Sequence, residues 1–143
     1  MIVVDVNLLI YAVNRDSPDH HKAKSWLEAA VSGTETVGLP WIVLLAFLRL
    51  TTRPGLFQKL LSVDAAFDVV DAWLQQTSVT VPEPTARHLQ TMRDLISPLG
   101  TAGNLTSDAH LAALAIEHGA ELCSTDNDFG RFSRLRWRNP LIR

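Results

Sequence analysis

The sequence predicts an α/β protein, a three-layer α/β/α sandwich around a mostly parallel central sheet, and three observations carry that prediction. Short, largely apolar runs recur at Ile2-Val3-Val4, Thr36 to Leu39, Val79 to Val81 and Glu121 to Ser124. The first of them shows no polar alternation, as expected of a strand covered on both faces. Segments of helical length and periodicity separate these runs, and strand–helix alternation of this kind is how parallel sheets are built.

The elements follow in order. Asp5-Val6-Asn7 turns the first strand into a short helix over residues 8–13. Ser17-Pro18 reads as an N-cap followed by an N1 proline, opening a helix through Ala23, Trp26, Leu27 and Ala30 that stops near Gly33. After the second strand, Pro40 begins an apolar helix that reaches about Arg53, and Pro54-Gly55 ends it. Residues 63–76 are amphipathic, with Phe67, Val70 and Leu74 on one face and Asp64, Asp68 and Asp71 towards another. Following the third strand, residues 85–96 read as helix and 97–103 as a loop. Asn104 is expected to cap a helix running to His118 and closed by Gly119. A fourth strand and the turn at 125–129 come next, and Trp137 starts a short edge strand. No repeat or linker divides the chain, so residues 1–143 read as one domain.

Composition excludes several classes. With 47% hydrophobic and 20% charged residues the chain is an ordinary globular one, not a disordered segment. The single cysteine, Cys123, rules out an internal disulfide framework and a cysteine-rich zinc site, and suits a reducing compartment. The longest apolar run, Gly38 to Leu48, has 11 residues, whereas a bilayer span needs about 20. With no secretory signal pattern at the start, the expected location is cytoplasmic. The net charge of −2 conceals an asymmetry: residues 129–143 carry five arginines and no acid, against eight Lys/Arg and fifteen Asp/Glu in the remainder. Such a basic tail is compatible with RNA phosphates and equally with surface ion pairs.

Four acids stand out by position. Asp5 follows the first strand, Asp126 and Asp128 follow the fourth, and Asp108 lies near the start of the helix before it. In open α/β sheets ligands bind beyond the carboxyl ends of the strands, at the switch point of strand order. If the first and fourth strands are neighbours, these carboxylates converge there. Two such charges about 4 Å apart repel by roughly 4 kcal/mol at an effective dielectric near 20, which invites a cation. All-oxygen donors favour Mg²⁺ or Mn²⁺, and a metal so held can activate water against a phosphodiester. Each acid also has a plain role on its own: Asp5 as a helix cap, Asp108 beside a helix N-terminus, Asp126 and Asp128 as turn residues.

Three segments carry a resemblance: Val-Val-Asp-Val-Asn-Leu-Leu-Ile-Tyr-Ala at 3–12, Asn-Leu-Thr-Ser-Asp-Ala-His-Leu-Ala-Ala-Leu-Ala at 104–115, and Cys-Ser-Thr-Asp-Asn-Asp-Phe at 123–129. In that order they resemble the acidic motifs of PIN-domain ribonucleases, and more narrowly VapC toxins of VapBC toxin–antitoxin modules. The resemblance implies a Mg²⁺-dependent endoribonuclease, with Mn²⁺ as substitute, acting on RNA as a homodimer and silenced by a VapB-type antitoxin. It makes Asp5, Asp108 and Asp126 the catalytic, metal-binding acids, with Asp128 as a supporting fourth ligand. Asn7 and Thr125 match polar positions that orient the first acid and line the site. One position departs: Ala46 stands where many relatives carry a Glu three residues before the arginine, here Arg49. That departure motivates an alternative, a catalytically weak PIN-like module that binds RNA or protein. Trp41 and Phe47 read as core or dimer face, His20 and His21 as solvated surface, and His110 as pointing away from Asp108.

Overall fold

The computed structural model describes residues 1–55 and 59–142. Five short strands, β1 (Ile2–Val4), β2 (Val37–Gly38), β3 (Val79–Thr80), β4 (Glu121–Cys123) and β5 (Trp137–Arg138), form one sheet of order β3-β2-β1-β4-β5. Every pairing is parallel, with Val4 beside Cys123 and Val3 beside Gly38. All three residues of β1 are buried, which explains why the run is apolar throughout. The helices are α1 (Val6–Val13), α2 (His20–Val31), α3 (Trp41–Thr52), α4 (Val63–Leu74), α5 (His88–Ile96) and α6 (Thr106–Glu117). α1 packs on α2 and α3, α3 on α4, and α5 on α6, completing the expected three-layer α/β/α sandwich.

Local chemistry sets the boundaries. Asp5 caps α1 by accepting from the Val6 N–H, and Ser62 caps α4 by accepting from Ala65 N–H at 3.1 Å. Gly119 takes φ +63° just beyond α6, a left-handed conformation that glycine adopts without a Cβ penalty. At Gly38 the reason is space: a Cβ there would lie 3.0 Å from Met1 Cε and 3.1 Å from Pro82 Cγ. Phe47, fully buried, meets the Trp73 ring edge-on at a centroid distance of 4.9 Å and ties α3 to α4.

Several expected boundaries shift. Ser17-Pro18 forms a turn that precedes α2: Ser17 accepts from Asp19 N–H at 3.2 Å, and helix begins only at His20, whose Nδ1 contacts the Tyr11 carbonyl at 2.9 Å. Residues 85–87 form a turn before α5, and Asn104 sits in a 3₁₀ turn (Gly103–Leu105) rather than capping α6. On α4 the inward side belongs to Ala66 and Val70, whereas Phe67 is 55% exposed. Among the described residues no helix is long and apolar enough to cross a membrane.

Candidate functional site at the carboxyl edge of the sheet

The strand order reverses direction between β1 and β4, which places the switch point where Asp5 and the segment after β4 emerge. The ladder extends one step beyond the strands, since Asp5 N–H donates to the Cys123 carbonyl at 2.9 Å. Asp5 therefore sits at the very end of β1. Its Oδ1 accepts from Val6 N–H at 2.8 Å and its Oδ2 from the Ser124 hydroxyl at 2.7 Å. Asp108 enters from the first turn of α6. Together with Val6, Ile42, Val43, Ala46, Arg49, Ser107 and Leu111, these two acids line a cleft of about 220 Å³.

Ser124 is the node of the site, and sequence reading passed over it in favour of its neighbour Thr125. The Ser124 side chain is fully buried. While its hydroxyl donates to Asp5, its oxygen accepts from Asp126 N–H at 3.0 Å and from Asn7 Nδ2 at 3.3 Å. One hydroxyl thus ties the acid after β1 to the turn after β4. The only hint in the sequence was a hydroxyl residue two positions before Asp126, in a segment already crowded with turn formers. Asn7 acts on Asp5 through Ser124, and its own Oδ1 is buried without a hydrogen-bond partner among the described residues.

Electrostatically the acids form one group. Burial raises the Asp5 carboxyl above its ordinary value; hydrogen bonds from Ser124 and Val6 oppose that rise, and Asp126 adds to it. Asp108 is also raised, first by burial and then by the charges of Asp126, Asp5 and Asp128, with Arg131 pulling the other way. The structure brings together the acids singled out from the sequence in a limited sense: Asp108 feels the charges of Asp126, Asp5 and Asp128, and Asp5 feels that of Asp126. It does not turn them all into one space, because Asp126 and Asp128 are spent elsewhere. Asp126 Oδ1 accepts from Asp128 N–H at 2.9 Å, and Asp128 pairs with Arg131 at 3.1 Å.

That arrangement corrects the cofactor expectation. Among the described residues no group of three or more His, Cys, Asp or Glu side chains is placed to hold a metal ion. The expected Mg²⁺, or Mn²⁺ in its place, therefore lacks a donor set. Only Asp5 and Asp108 line the cleft, both Asp5 oxygens are already hydrogen-bonded to protein, and Ala46 supplies no further carboxylate. The arginines of the basic tail are largely engaged within the chain. Arg131 pairs with Asp128, Arg134 with Asp94 at 3.6 Å and Arg138 with Glu121 at 2.6 Å, while Arg136 donates to the Gly119 carbonyl at 2.7 Å. Arg143 lies outside the described residues. Arg49, by contrast, faces the carboxylate cleft and makes no ion pair among the described residues. Cys123 is buried, and its thiol is pushed up to about 12, chiefly by burial, which keeps it out of thiolate chemistry.

A parallel sheet with acids from β1, α6 and the turn after β4 gathered at its switch point defines a class of α/β/α proteins with an acidic working edge. Comparison narrows the class. The PIN domain model matches residues 2–135. Ribonuclease VapC37 of Mycobacterium tuberculosis is 46% identical over 140 residues, covering 98% of this chain and 97% of that protein. Ribonuclease VapC33 of the same organism is 40% identical over 141 residues and 99% of each chain. This chain belongs to the PIN domain family and, within it, groups with the VapC proteins. Among solved structures, VapBC2 from Rickettsia felis, bound to a DNA fragment from its promoter, superposes with a TM-score of 0.71 at 21% identity, over 97% of this chain and 98% of that one. FitAcB from Neisseria gonorrhoeae gives 0.63 at 20% identity, over 98% of each. At that identity the likeness is one of fold.

Proposed function

We propose that this chain is the VapC-like half of a toxin–antitoxin pair and that its carboxylate cleft engages RNA. The geometry favours binding over rapid turnover in the isolated chain. The observation that carries this reading is that Arg49, which makes no ion pair among the described residues, shares one cleft with Asp5 and Asp108. A phosphodiester entering there meets a guanidinium suited to bidentate phosphate contact.

RNA cleavage is the second reading, and one observation favours it beyond the relatives' printed names. Burial first, and then the charges of its acidic neighbours, raise the Asp108 carboxyl above its ordinary value, and the side chain lines the cleft. Such a group can take a proton from a nucleophile attacking phosphorus, as a general base. Asp5, fixed by Ser124 and Val6, and Asp126, through its charge, hold that environment in place. In this assignment Asp5, Asp108 and Asp126 are the working acids and Asp128 is a supporting one. A protein partner of the antitoxin type belongs to the same proposal, as does a homodimer. Support comes from the solved VapBC relatives and from the exposed apolar side chains Leu45, Val63 and Phe67.

Equilibrium binding of a fluorescein-labelled single-stranded RNA tests the proposal. Arg49→Ala is expected to weaken binding about tenfold and to reduce the salt dependence by the share of roughly one phosphate contact. Absence of RNA binding by the wild-type chain would overturn the proposal.

A further inference from the structure

A second cleft opens along the same edge of the sheet. Its walls are Pro40, Trp41 and Ile42 after β2, Pro82, Glu83 and Pro84 after β3, and His110 and Leu114 of α6, around a volume of about 240 Å³. Ile42 lines both clefts. The sheet order β3-β2-β1-β4 therefore sets the carboxyl ends of β2 and β3 beside those of β1 and β4, and the two clefts lie side by side. Helix geometry agrees: Asp108 and His110, two residues apart on α6, point to different sides. Asp108 and Leu111 serve the first cleft, His110 and Leu114 the second.

His110 is the end of a relay that the acidic site does not use. Glu117, whose side chain is 1% exposed, accepts from Thr85 N–H at 3.0 Å, from the Thr85 hydroxyl and from His88 Nδ1. His88 Nε2 lies 2.8 Å from His110 Nδ1. With one proton on each ring, the proton assignment follows from the carboxylate. His88 must carry its hydrogen on Nδ1 to donate to Glu117, so its Nε2 is a bare acceptor, and His110 must donate from Nδ1. That leaves His110 Nε2 as an acceptor with no hydrogen-bond partner among the described residues, on a side chain lining the cleft. The same cleft is lined by an indole that is half exposed, Trp41 at 50%, and by three prolines that offer apolar surface and no N–H donor.

We propose that this cleft is a subsite for one guanine base of a single-stranded RNA whose phosphodiester lies in the carboxylate cleft, with Trp41 as the stacking face and His110 Nε2 reading the base edge. The proposal rests on the RNA reading above and adds its specificity. Unpaired bases are recognised by stacking on aromatic side chains and by hydrogen bonds to their Watson–Crick edges. Guanine fits because its Watson–Crick edge carries two adjacent donors, N1–H and the N2 amine, and the cleft lining supplies two acceptors for them, His110 Nε2 for the N2 amine and Glu83 for N1–H.

Two measurements on the intact protein test this. First, guanosine, inosine and cytidine monophosphates are titrated while the indole N–H resonances are followed by NMR. Guanosine monophosphate is expected to move the Trp41 signal, inosine monophosphate (which lacks the N2 amine) to bind about two- to tenfold more weakly, and cytidine monophosphate to leave the signal in place. His110→Phe should abolish the difference between guanosine and inosine. Second, Trp41→Ala is expected to weaken binding of a guanine-containing RNA roughly five- to a hundredfold, with Trp41→Phe restoring most of it. An unmoved Trp41 resonance, or equal RNA affinity in wild type and Trp41→Ala, overturns the subsite while the RNA reading stands. If the wild-type chain binds no RNA, the RNA reading falls and the nucleotide titration alone decides the subsite. A Trp41→Ala variant altered in oligomeric state but not in RNA affinity overturns the subsite in favour of a protein contact.

Discussion

RNA cleavage by an Asp108→Asn variant is expected to fall by about two to four orders of magnitude, the usual worth of a positioned general acid or base. The substitution keeps the shape of the side chain and removes its ability to take up a proton. RNA affinity is expected to hold or to rise, because a negative charge leaves a cleft that receives phosphate. The same variant is expected to be more stable at neutral pH. Burial and the charges of Asp126, Asp5 and Asp128 raise the folded-state affinity of Asp108 for its proton above that of the unfolded chain. Folding with this group ionised therefore costs free energy, and the cost disappears as pH falls below the ordinary value of 3.8, where the carboxyl is protonated in both states. Thermal melts of the two proteins should differ at pH 7 and converge near pH 3. Loss of cleavage without loss of binding, together with a gain in stability, is the pattern of a strained working residue. Unchanged cleavage would remove Asp108 from that role, and the assay is read in buffers with and without divalent salt so that its outcome does not depend on the ion.

Phe47→Ala is expected to destabilise the fold by about 3–5 kcal/mol, the range for deleting a buried phenyl ring. Phe47 is fully buried on α3 and makes the edge-on contact with Trp73 that holds α4 against it. Neighbouring core side chains such as Leu44 and Leu9 are themselves fully buried, so the cavity has little freedom to collapse. Urea titration followed by circular dichroism measures the loss directly. Because α3 also carries Ala46 and Arg49 into the carboxylate cleft, RNA affinity should drop along with stability. Phe67→Ala, on the exposed side of α4, is the matched control and is expected to change stability by less than about 1 kcal/mol.

The contrast between those two phenylalanines shows what was legible in the sequence. Strands announced themselves where burial was complete: Ile2-Val3-Val4 had no polar residue to mislead, and the acid after it marked where the sheet ends. The mostly parallel sheet followed from strand–helix alternation, whereas the adjacency of β1 and β4 stood only as a condition until the strand order supplied it. On α4, more than one apolar face satisfies the same periodicity, and which of them is buried, here the one with Ala66 and Val70, is decided by tertiary packing that the periodicity does not encode. The site was legible to the level of its acids. Hydrogen-bond direction was not: nothing in Cys-Ser-Thr-Asp reveals that Ser124, rather than Thr125, turns inward to join Asp5 with Asp126. The metal expectation failed for a related reason, since spacing counts carboxylates but does not show that Asp126 and Asp128 spend oxygens on the Asp128 N–H and on Arg131. The sequence left the basic tail open between RNA phosphates and surface ion pairs, and in the structure Arg131, Arg134 and Arg138 pair with acids contributed by distant or adjacent segments.

The claim on which the account turns is that acids from three separate elements share one electrostatic field at the carboxyl edge of the sheet. Carbon-detected NMR titration of the Asp108 carboxyl, in wild type and in Asp126→Asn, tests it directly. Titration of Asp108 above 3.8 in the wild-type chain, falling towards that value when the charge at position 126 is removed, is the predicted result. An Asp108 that titrates at its ordinary value and ignores the change at Asp126 would contradict it.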